Sequence, residues 1–374
     1  METNFAELHR QVVFGQSGGR IIWQPRIGCW VNDKRFAGEK LPEPFDGMTM
    51  PQIFRELKCS ARIYQYNACF KRAEHPAVRV TQRALNETDA ATTIETPVGK
   101  QVWIGRKSKS NPHVIHVKWE IATEEEMKVA TWRTENATWA WDQAKFNQLR
   151  AEWGDLGAPT MYMPRINIQD LFINTMGVQN GIYALYDWPD TVRAYFRALD
   201  ECHSRLIDVI NESPVDIINF GDNIHCATLP PDLFREFVLP AYHKRCDKLH
   251  AAGKFVHAHW DGDTKALLPL ARETKLDGIE AITPKPQGDV TLEEVKDALG
   301  DDLFLIDGIP AILFDPYFSV AELEDFTHRL IEMFAPKLVL GISDEISSTG
   351  DIERIRLVGD MVNAYNKRVA DEAG

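Results

Sequence analysis

The sequence has 374 residues, 44% of them hydrophobic, and its 55 acidic residues outnumber 42 basic ones to give a formal charge of −13. This length and this hydrophobic content predict a globular protein with a large buried core. The acidic balance argues against nucleic acid and against an anionic membrane surface as partners, because both attract clustered Lys and Arg side chains. Small molecules and other proteins are the expected partners.

The first twenty residues, METNFAELHRQVVFGQSGGR, lack the apolar core of a secretory signal. No uncharged apolar stretch reaches the roughly 18 residues that a membrane-spanning helix needs. We therefore expect a cytoplasmic protein without a membrane anchor.

The first half of the chain predicts two features beside the main array of elements. An early strand is predicted in RIIWQPRIGCW (20–30), after a short N-terminal extension. Residues 74–121 contain alternating β-runs around polar turns, which predict a small antiparallel insertion. No repeat or flexible linker interrupts the sequence, so we expect one elaborated domain over residues 1–374.

From about residue 155 onward, short β-branched runs alternate with longer amphipathic patterns, which is typical of parallel strands joined by crossover helices. Strands are predicted at 159–164, 215–222, 254–262, 276–284, 303–308 and 337–345. Helices are predicted at 188–212, 231–251, 264–274, 291–299, 320–334 and 350–368. The predicted fold is α/β, a (β/α)₈ TIM barrel that carries the extension and the insertion.

Polar residues follow most of these predicted strands. In a parallel barrel the carboxyl ends of the strands converge on one mouth, so such residues are candidates for catalysis. The candidates are Asp222, Asn223, His257, His259, Asp261, Glu280, Asp307, Asp344 and Glu345.

Acidic side chains dominate these positions, and few basic residues occur among them. Because a buried carboxylate needs a compensating partner, we expect a divalent cation at this mouth. His259 and Asp261 are two residues apart and therefore point to the same side of an extended strand, as His257 does. A histidine in a strand is more often a hydrogen-bonded core residue, so for His257, deeper in the strand, that alternative is the stronger one.

Three segments resemble the uroporphyrinogen decarboxylase superfamily. They are LPPDLFREFVLPAYHK (229–244), VHAHWDGDTKALLPL (256–270) and TPKPQGDVTLEEVKDALGDDLFLIDGI (283–309). The superfamily contains porphyrinogen decarboxylases and also zinc-dependent, corrinoid-linked methyltransferases. The decarboxylases carry an MRQAGR-like motif near the N-terminus, whereas this chain has QPRIGCWVNDKR at that place.

The methyltransferase branch resembles this chain at a His-x-Cys-Gly motif, which here begins at His259 and has Asp261 in place of the cysteine. That branch has a glutamate about twenty residues later and a last ligand some sixty residues beyond it. Glu280 follows Asp261 by 19 positions, and Asp344 follows Glu280 by 64. The resemblance implies a metal shell of His259, Asp261, Glu280 and one of Asp344 or Glu345, with Asp222, Asn223 and Asp307 as further catalytic residues.

The replacement of thiolates by carboxylates makes the expected site harder and more Lewis-acidic, which argues against methylation of a thiol. The resemblance then implies a methyltransferase that demethylates a small methylated substrate, such as a methoxylated aromatic compound. The methyl group would pass to the Co(I) corrinoid of a partner protein, and Zn²⁺ or another divalent ion would be the resident cofactor. A homodimer is an open alternative for the oligomeric state.

Three other functions are weighed beside this one. The first is a lyase of the uroporphyrinogen decarboxylase type that acts on a carboxylated substrate without a metal. The second is a metal-dependent hydrolase, suggested by the His257-Ala-His259 pair, although that pair lies late in the chain for such an enzyme. The third is a scaffold that only binds a corrinoid protein, which the scattered strand-end carboxylates argue against.

Overall fold

The computed structural model describes residues 3–109 and 113–373. Its strands, numbered in chain order, are β1 (Ile22–Trp23), β2 (Phe70–Ala73), β3 (Arg79–Ala84), β4 (Asp89–Thr96), β5 (Gly99–Lys107), β6 (Val114–Lys118), β7 (Thr138–Trp141), β8 (Thr160–Met163), β9 (Ile217–Ile224), β10 (Phe255–Trp260), β11 (Gly278–Glu280), β12 (Phe304–Pro310) and β13 (Leu338–Ser343). All six strands predicted after residue 155 are confirmed, and so is the early strand.

The main sheet, within the described residues, is a curled sheet of seven parallel strands in the order β1-β13-β12-β11-β10-β9-β8. A closed eight-stranded barrel was predicted, but β1 and β8 are not paired with each other. The segment 59–63 lies between them without forming a strand. Ser60 donates its backbone N–H to Trp23 O at 3.0 Å, and Ala61 donates to Leu156 O at 2.8 Å. The parallel α/β architecture is therefore confirmed, and its closure differs from the prediction.

The α-helices are Phe5–Val13, Gly28–Phe36, Met50–Leu57, Glu124–Glu135, Gln143–Trp153, Asn167–Gln169, Val178–Asp187, Pro189–Glu212, Pro231–Leu233, Leu239–His250, Leu292–Leu299, Val320–Phe334 and Glu353–Ala373. Short 3₁₀ segments cover Tyr64–Cys69, Leu268–Thr274 and Ala311–Phe314, and π-helical turns cover Asp170–Thr175 and Phe234–Val238. None of the helices in the described part of the chain is long and apolar enough to cross a bilayer.

Local sequence accounts for the sharpest helix boundaries. Thr291 and Ser319 each form a capping box with a glutamate three residues later, which fixes the starts of Leu292–Leu299 and Val320–Phe334. Pro189 occupies the first turn of Pro189–Glu212, where its missing N–H costs nothing. The helix predicted at 264–274 is instead a 3₁₀ segment. The one predicted at 231–251 is interrupted by a π-helical turn.

The two ends of the main sheet differ in what covers them. The N-terminal helix Phe5–Val13 packs Leu8, Val12 and Val13 against the amino-terminal ends of the strands, in a cluster that includes Ile217 and Phe304. The carboxyl ends carry the polar residues. The N-terminal helix therefore covers the amino-terminal ends of the strands. The polar carboxyl ends are the candidate place for a functional site.

A separate antiparallel sheet contains β3, β4, β5 and β6 in that order. One of its faces buries Ile94 and Gln101. At β5 an added side chain on Gly99 would meet Val129 of the helix Glu124–Glu135 at 2.9 Å. The sheet lies within the range 74–121. The boundaries of that insertion and the single-domain assignment stay predictions.

Candidate functional site

Left-handed backbone occurs in or directly after four strands of the main sheet, β9, β11, β12 and β13. Asn223, Ala281, Asp307 and Asp344 have φ values of 52°, 66°, 78° and 70°. Such values are uncommon for residues other than glycine, although Asn and Asp adopt them more readily. Strained backbone of this kind is concentrated at functional sites. The observation supports the mouth of the curled sheet as the candidate site.

Glu280, at the end of β11, is fully buried at the centre of this mouth. Its Oε1 lies 2.9 Å from Arg62 Nη1 and 3.1 Å from His259 Nδ1. Its Oε2 lies 3.1 Å from His257 Nδ1 and accepts a hydrogen bond from Asn219. Burial alone would raise the pKa of Glu280, but Arg62 and the two histidines hold it well below its usual range. Glu280 is therefore an ionised carboxylate at neutral pH.

Arg62, from the segment 59–63, joins Glu280 to a second carboxylate. Its Nη2 and Nη1 donate to the two oxygens of Asp307 at 2.7 and 3.1 Å, and its Nε donates to Gln24 Oε1 at 3.1 Å. Asp307 is completely buried. This bidentate pair holds the guanidinium of Arg62 in place, and the catalytic role of Asp307 stays a prediction.

His259, in β10, has its two ring nitrogens directed to different carboxylates. Nδ1 faces the buried Glu280, and Nε2 lies 3.8 Å from Oδ2 of Asp261, whose side chain is 26% exposed. Burial by itself lowers the pKa of His259, but Asp261 and Glu280 outweigh it and raise the pKa to about 9. The ring is therefore an imidazolium at neutral pH, with Nε2 on the side of the partly exposed Asp261.

Asp261 is held by its neighbours on the rim of the mouth. Asn223 donates Nδ2 to Asp261 Oδ2 at 3.3 Å and accepts from Arg165 Nη2 at 2.7 Å through its Oδ1. Burial would raise the pKa of Asp261, but His259 and Asn223 lower it. The Oδ1 of Asp261 is buried without a hydrogen-bond partner among the described residues. The hydrogen bonds from Arg165 to Asn223 and from Asn223 to Asp261 thus fix the Asp261 carboxylate next to His259.

Arg26, three residues after β1, lies between the buried and the exposed acids. Its Nη1 is 3.8 Å from Glu280 Oε1 and 3.4 Å from Asp344 Oδ1, and its Nη2 is 3.6 Å from Glu345 Oε1. The side chain of Asp344 is 60% exposed. Within the part of the chain that is described, Arg26 Nε and Nη1 make no hydrogen bond although both are buried. These N–H groups are free to meet a ligand.

Asp222 does not face the mouth. Its carboxylate accepts from the backbone N–H of Ile166 and from the Tyr242 hydroxyl, both at 2.8 Å. Gln169 donates to the carbonyl oxygens of Asp222 and Asn223. Burial raises the pKa of Asp222. Its contacts show that Asp222 ties the loop after β8 to β9, and its catalytic role stays a prediction.

Two tyrosines form a wall that the sequence did not suggest. The rings of Tyr64 and Tyr162 are 5.3 Å apart and nearly perpendicular. Gly221 makes room for this wall, because a Cβ there would lie 1.8 Å from the Tyr162 ring. Burial raises the pKa of Tyr64 to about 12, and its hydroxyl has no hydrogen-bond partner in the described ranges. Tyr64 therefore adds another neutral, unpaired donor near Arg26.

The predicted metal shell does not fit this arrangement. His259 presents Nδ1 to Glu280 and Nε2 to Asp261, so the two carboxylates lie on opposite sides of the ring and cannot share one ion with one nitrogen. Arg62 and Arg26 already supply positive charge next to Glu280. Among residues 3–109 and 113–373, no three His, Cys, Asp or Glu side chains are grouped to hold a metal. Metal binding stays a prediction, and no step proposed below depends on it.

The residues that sequence reasoning missed are mainly basic. Arg26 and Arg62 compensate the carboxylates for which a cation was expected. Arg26 lies three residues after β1, beyond Gln24 and Pro25, so the rule that selected polar residues directly after a strand did not select it. Arg62 lies in a segment with no strand pattern, and only the folded structure brings it to Glu280.

The sequence of the chain matches one known protein family. Residues 171–365, more than half of the chain, match the family model described as uroporphyrinogen decarboxylase (URO-D). The chain belongs to the URO-D family. The matched residues include every predicted site residue from Asp222 to Glu345, whereas Arg26, Arg62 and Tyr64 of this URO-D protein lie before them. No curated protein sequence matches the chain.

Two solved structures show what the fold of the URO-D protein is similar to. A methyltransferase from Methanosarcina mazei has 12% sequence identity and a TM-score of 0.58, and the match covers 95% of this chain and 97% of that one. A GH18 chitinase from Pseudoalteromonas aurantia has 8% identity and a TM-score of 0.37, with 59% and 82% covered. The first comparison shows a shared fold over nearly the whole chain. The second, with its lower TM-score, does not show a shared fold.

Proposed function

We propose that this URO-D protein is a methyltransferase that demethylates a small methylated substrate and passes the methyl group to the corrinoid of a partner protein. The observation that carries the proposal is the buried ring of His259, whose Nδ1 lies 3.1 Å from Glu280 and whose Nε2 is directed toward Asp261 at the rim of the mouth. A proton held there can be given to the oxygen that loses its methyl group. The whole-chain likeness of fold to a methyltransferase is consistent with this reaction.

The chemistry is a displacement at the methyl carbon. The carbon–oxygen bond breaks, its electron pair stays on the substrate oxygen, and His259 Nε2–H supplies the proton that converts the leaving alkoxide or phenolate into an alcohol or phenol. The pKa of His259, about 9, is close to the value of about 10 for a phenol such as tyrosine, which suits proton transfer to a departing phenolate. Glu280 stabilises the ring while it is charged and orients it.

The substrate is expected to carry a negative charge. Arg26 offers two buried N–H groups without partners, and the Tyr64 hydroxyl is also unpaired. Unpaired buried donors on a guanidinium suit a carboxylate or another oxyanion. A methoxylated aromatic acid has this anionic group, an aromatic ring to pack on Tyr64 and Tyr162, and the ether oxygen that His259 would protonate.

The methyl acceptor must come from outside the chain. A corrinoid bound to a partner would supply the nucleophile that takes the methyl group. The residues at the rim, Asp261, Asp344 and Glu345, would then be the first to meet the partner. Zinc, the cofactor expected from the resemblance, is not needed for the proton transfer from His259.

A second function is favoured by a specific observation. Arg26, Arg62 and Arg165 place three guanidinium groups around the mouth, which also suits a substrate that binds and reacts through carboxylates. A lyase of the uroporphyrinogen decarboxylase type would use His259 to protonate the carbon that loses carbon dioxide. The two functions share binding groups and differ in the bond that breaks.

Product analysis separates the two functions. The purified protein is incubated with reduced cobalamin and a panel of methoxylated benzoic acids, and both phenolic products and carbon dioxide are measured. We expect the phenol and methylated cobalamin, with the rate falling by roughly 10²–10⁴ in His259→Gln, the range for loss of a general acid. His328→Gln, at an exposed histidine, is the matched control. Carbon dioxide release without the phenol would replace the methyltransferase with the lyase.

A further inference from the structure

A second cavity lies outside the mouth, on the other side of the loop that follows β8. Its volume is about 270 Å³, and it is enclosed by the helices Glu124–Glu135 and Pro189–Glu212, by β7 and by that loop. Pro164 lines this cavity, whereas the next residue, Arg165, lines the mouth. We call it the lateral cavity, and define it by the lining residues Arg72, Ala130, Arg133, Trp139, Leu199 and His203.

His203 offers a donor to the lateral cavity. The residue is 4% exposed, and its Nδ1 lies 2.6 Å from Nη2 of Arg245, which donates to it. Burial and the nearby arginines, Arg245 first, hold the pKa of His203 well below its usual value. The ring is neutral with Nδ1 as acceptor, so its hydrogen is on Nε2. That Nε2–H has no partner among the described residues.

Two arginines add further donors. Arg133 uses its terminal nitrogens on Gln101, Glu120 and Glu74, but its buried Nε has no partner within residues 3–109 and 113–373. Arg72 makes one hydrogen bond, from Nη1 to Glu74. The rest of its guanidinium is available to a ligand.

Most of the carboxylate oxygens in the wall already accept hydrogen bonds. Asp170 accepts from Asn174 Nδ2 at 2.9 Å and from the Tyr195 hydroxyl at 2.8 Å. Glu120 accepts from Arg133. Oε2 of Glu74 lacks a partner, but Glu74 is not part of the wall. Among the described residues the lateral cavity therefore has unpaired donors on Arg72, Arg133 and His203 against one unpaired carboxylate oxygen, Oε2 of Glu120, so a ligand there must supply mainly acceptors.

We propose that the lateral cavity binds a small carboxylate. Its oxygens would accept hydrogen bonds from Arg72, Arg133 and His203, and its hydrocarbon part would pack on Trp139 and Leu199. The volume is just below the 300–1,000 Å³ typical of sites for drug-sized ligands, so a ligand of a few carbons or one ring fits. This site is separate from the mouth and does not depend on the proposed methyl transfer.

Calorimetric titration of the full-length protein with benzoate tests the proposal, with benzamide as the neutral analogue. We expect saturable benzoate binding and no benzamide binding. Arg72→Gln should weaken benzoate binding roughly tenfold, the effect of losing one charge-assisted hydrogen bond. Ala130→Leu should abolish binding by filling the cavity. Arg193→Gln, which removes an exposed arginine of the helix Pro189–Glu212, should leave binding unchanged.

Binding at the mouth must be told apart, because Arg26 is also expected to hold an anion. Arg26→Gln should leave the binding that depends on Arg72 intact. The proposal is overturned if benzoate binding is lost in Arg26→Gln and kept in Arg72→Gln, or if benzamide binds equally well. It is also overturned if the wild-type protein shows no saturable binding up to about 10 mM benzoate.

Discussion

Replacement of Glu280 by glutamine removes one negative charge from the buried centre of the mouth and keeps the shape of the side chain. Glu280 faces Arg62 at 2.9 Å and both His257 and His259 at 3.1 Å. Removal of one partner from a buried ion pair costs about 3–5 kcal/mol. The raised pKa of His259 gives a consistent magnitude, because a change from 6.5 to about 9 corresponds to roughly 3 kcal/mol. We therefore expect Glu280→Gln to lose about 3 kcal/mol of unfolding free energy.

Urea unfolding at pH 7 measures this loss, and NMR titration of the histidine ring protons reports the pKa of His259. In Glu280→Gln that pKa should fall clearly below about 9, because Asp261 alone is then left to oppose the effect of burial. Glu345→Gln is the control, since Glu345 lies 3.6 Å from Arg26 at a more exposed place and should cost less than about 1 kcal/mol. Equal stability of Glu280→Gln and the wild type, with the pKa of His259 still near 9, would refute the reasoning.

Four further outcomes follow from the same contacts. Gly221→Ala should cost about 1–3 kcal/mol in urea unfolding because the new methyl group meets the Tyr162 ring, and an unchanged midpoint would contradict that packing. Asp222→Asn should lower thermal stability, by about 1–3 kcal/mol, through its bonds to Ile166 and Tyr242, and a loss of activity without loss of stability would support a catalytic role. The contribution of protonated His259 to stability is fully present below about pH 6.5 and is lost as the pH rises through about 9, so unfolding free energies between pH 6 and 10 should show a fall that His259→Gln lacks. Elemental analysis of dialysed protein tests the predicted metal shell, which requires a stoichiometric divalent ion that is lost in Glu280→Ala, and less than one ion per chain in the wild type would contradict it.

The strand pattern after residue 155 could be predicted from the sequence because buried parallel strands are short β-branched runs bounded by turns. How the sheet closes could not be predicted from the sequence. The segment 59–63 makes backbone hydrogen bonds to Trp23 and Leu156 without a strand of its own, and its sequence shows no alternation.

The candidate site was predicted in its position and in part of its membership. His259, Asp261 and Glu280 come together because each follows or ends a strand of the same sheet. The contact of Glu280 with Arg62 could not be predicted, because the sequence shows the acids of the mouth in order whereas Arg62 comes from a distant irregular segment. The direction of Asp222 toward Tyr242 also depends on tertiary packing that no local pattern reveals.

The pH dependence of demethylation tests most directly whether His259 supplies the proton to the leaving oxygen. The initial rate of phenol formation from a methoxylated benzoic acid, with reduced cobalamin as acceptor, is measured between pH 6 and 10 for the wild type. We predict a rate that is level to about pH 8 and falls as the imidazolium loses its proton near pH 9. A rate that keeps rising through pH 9, or that His259→Gln reproduces in full, would contradict the role of His259 as the proton donor.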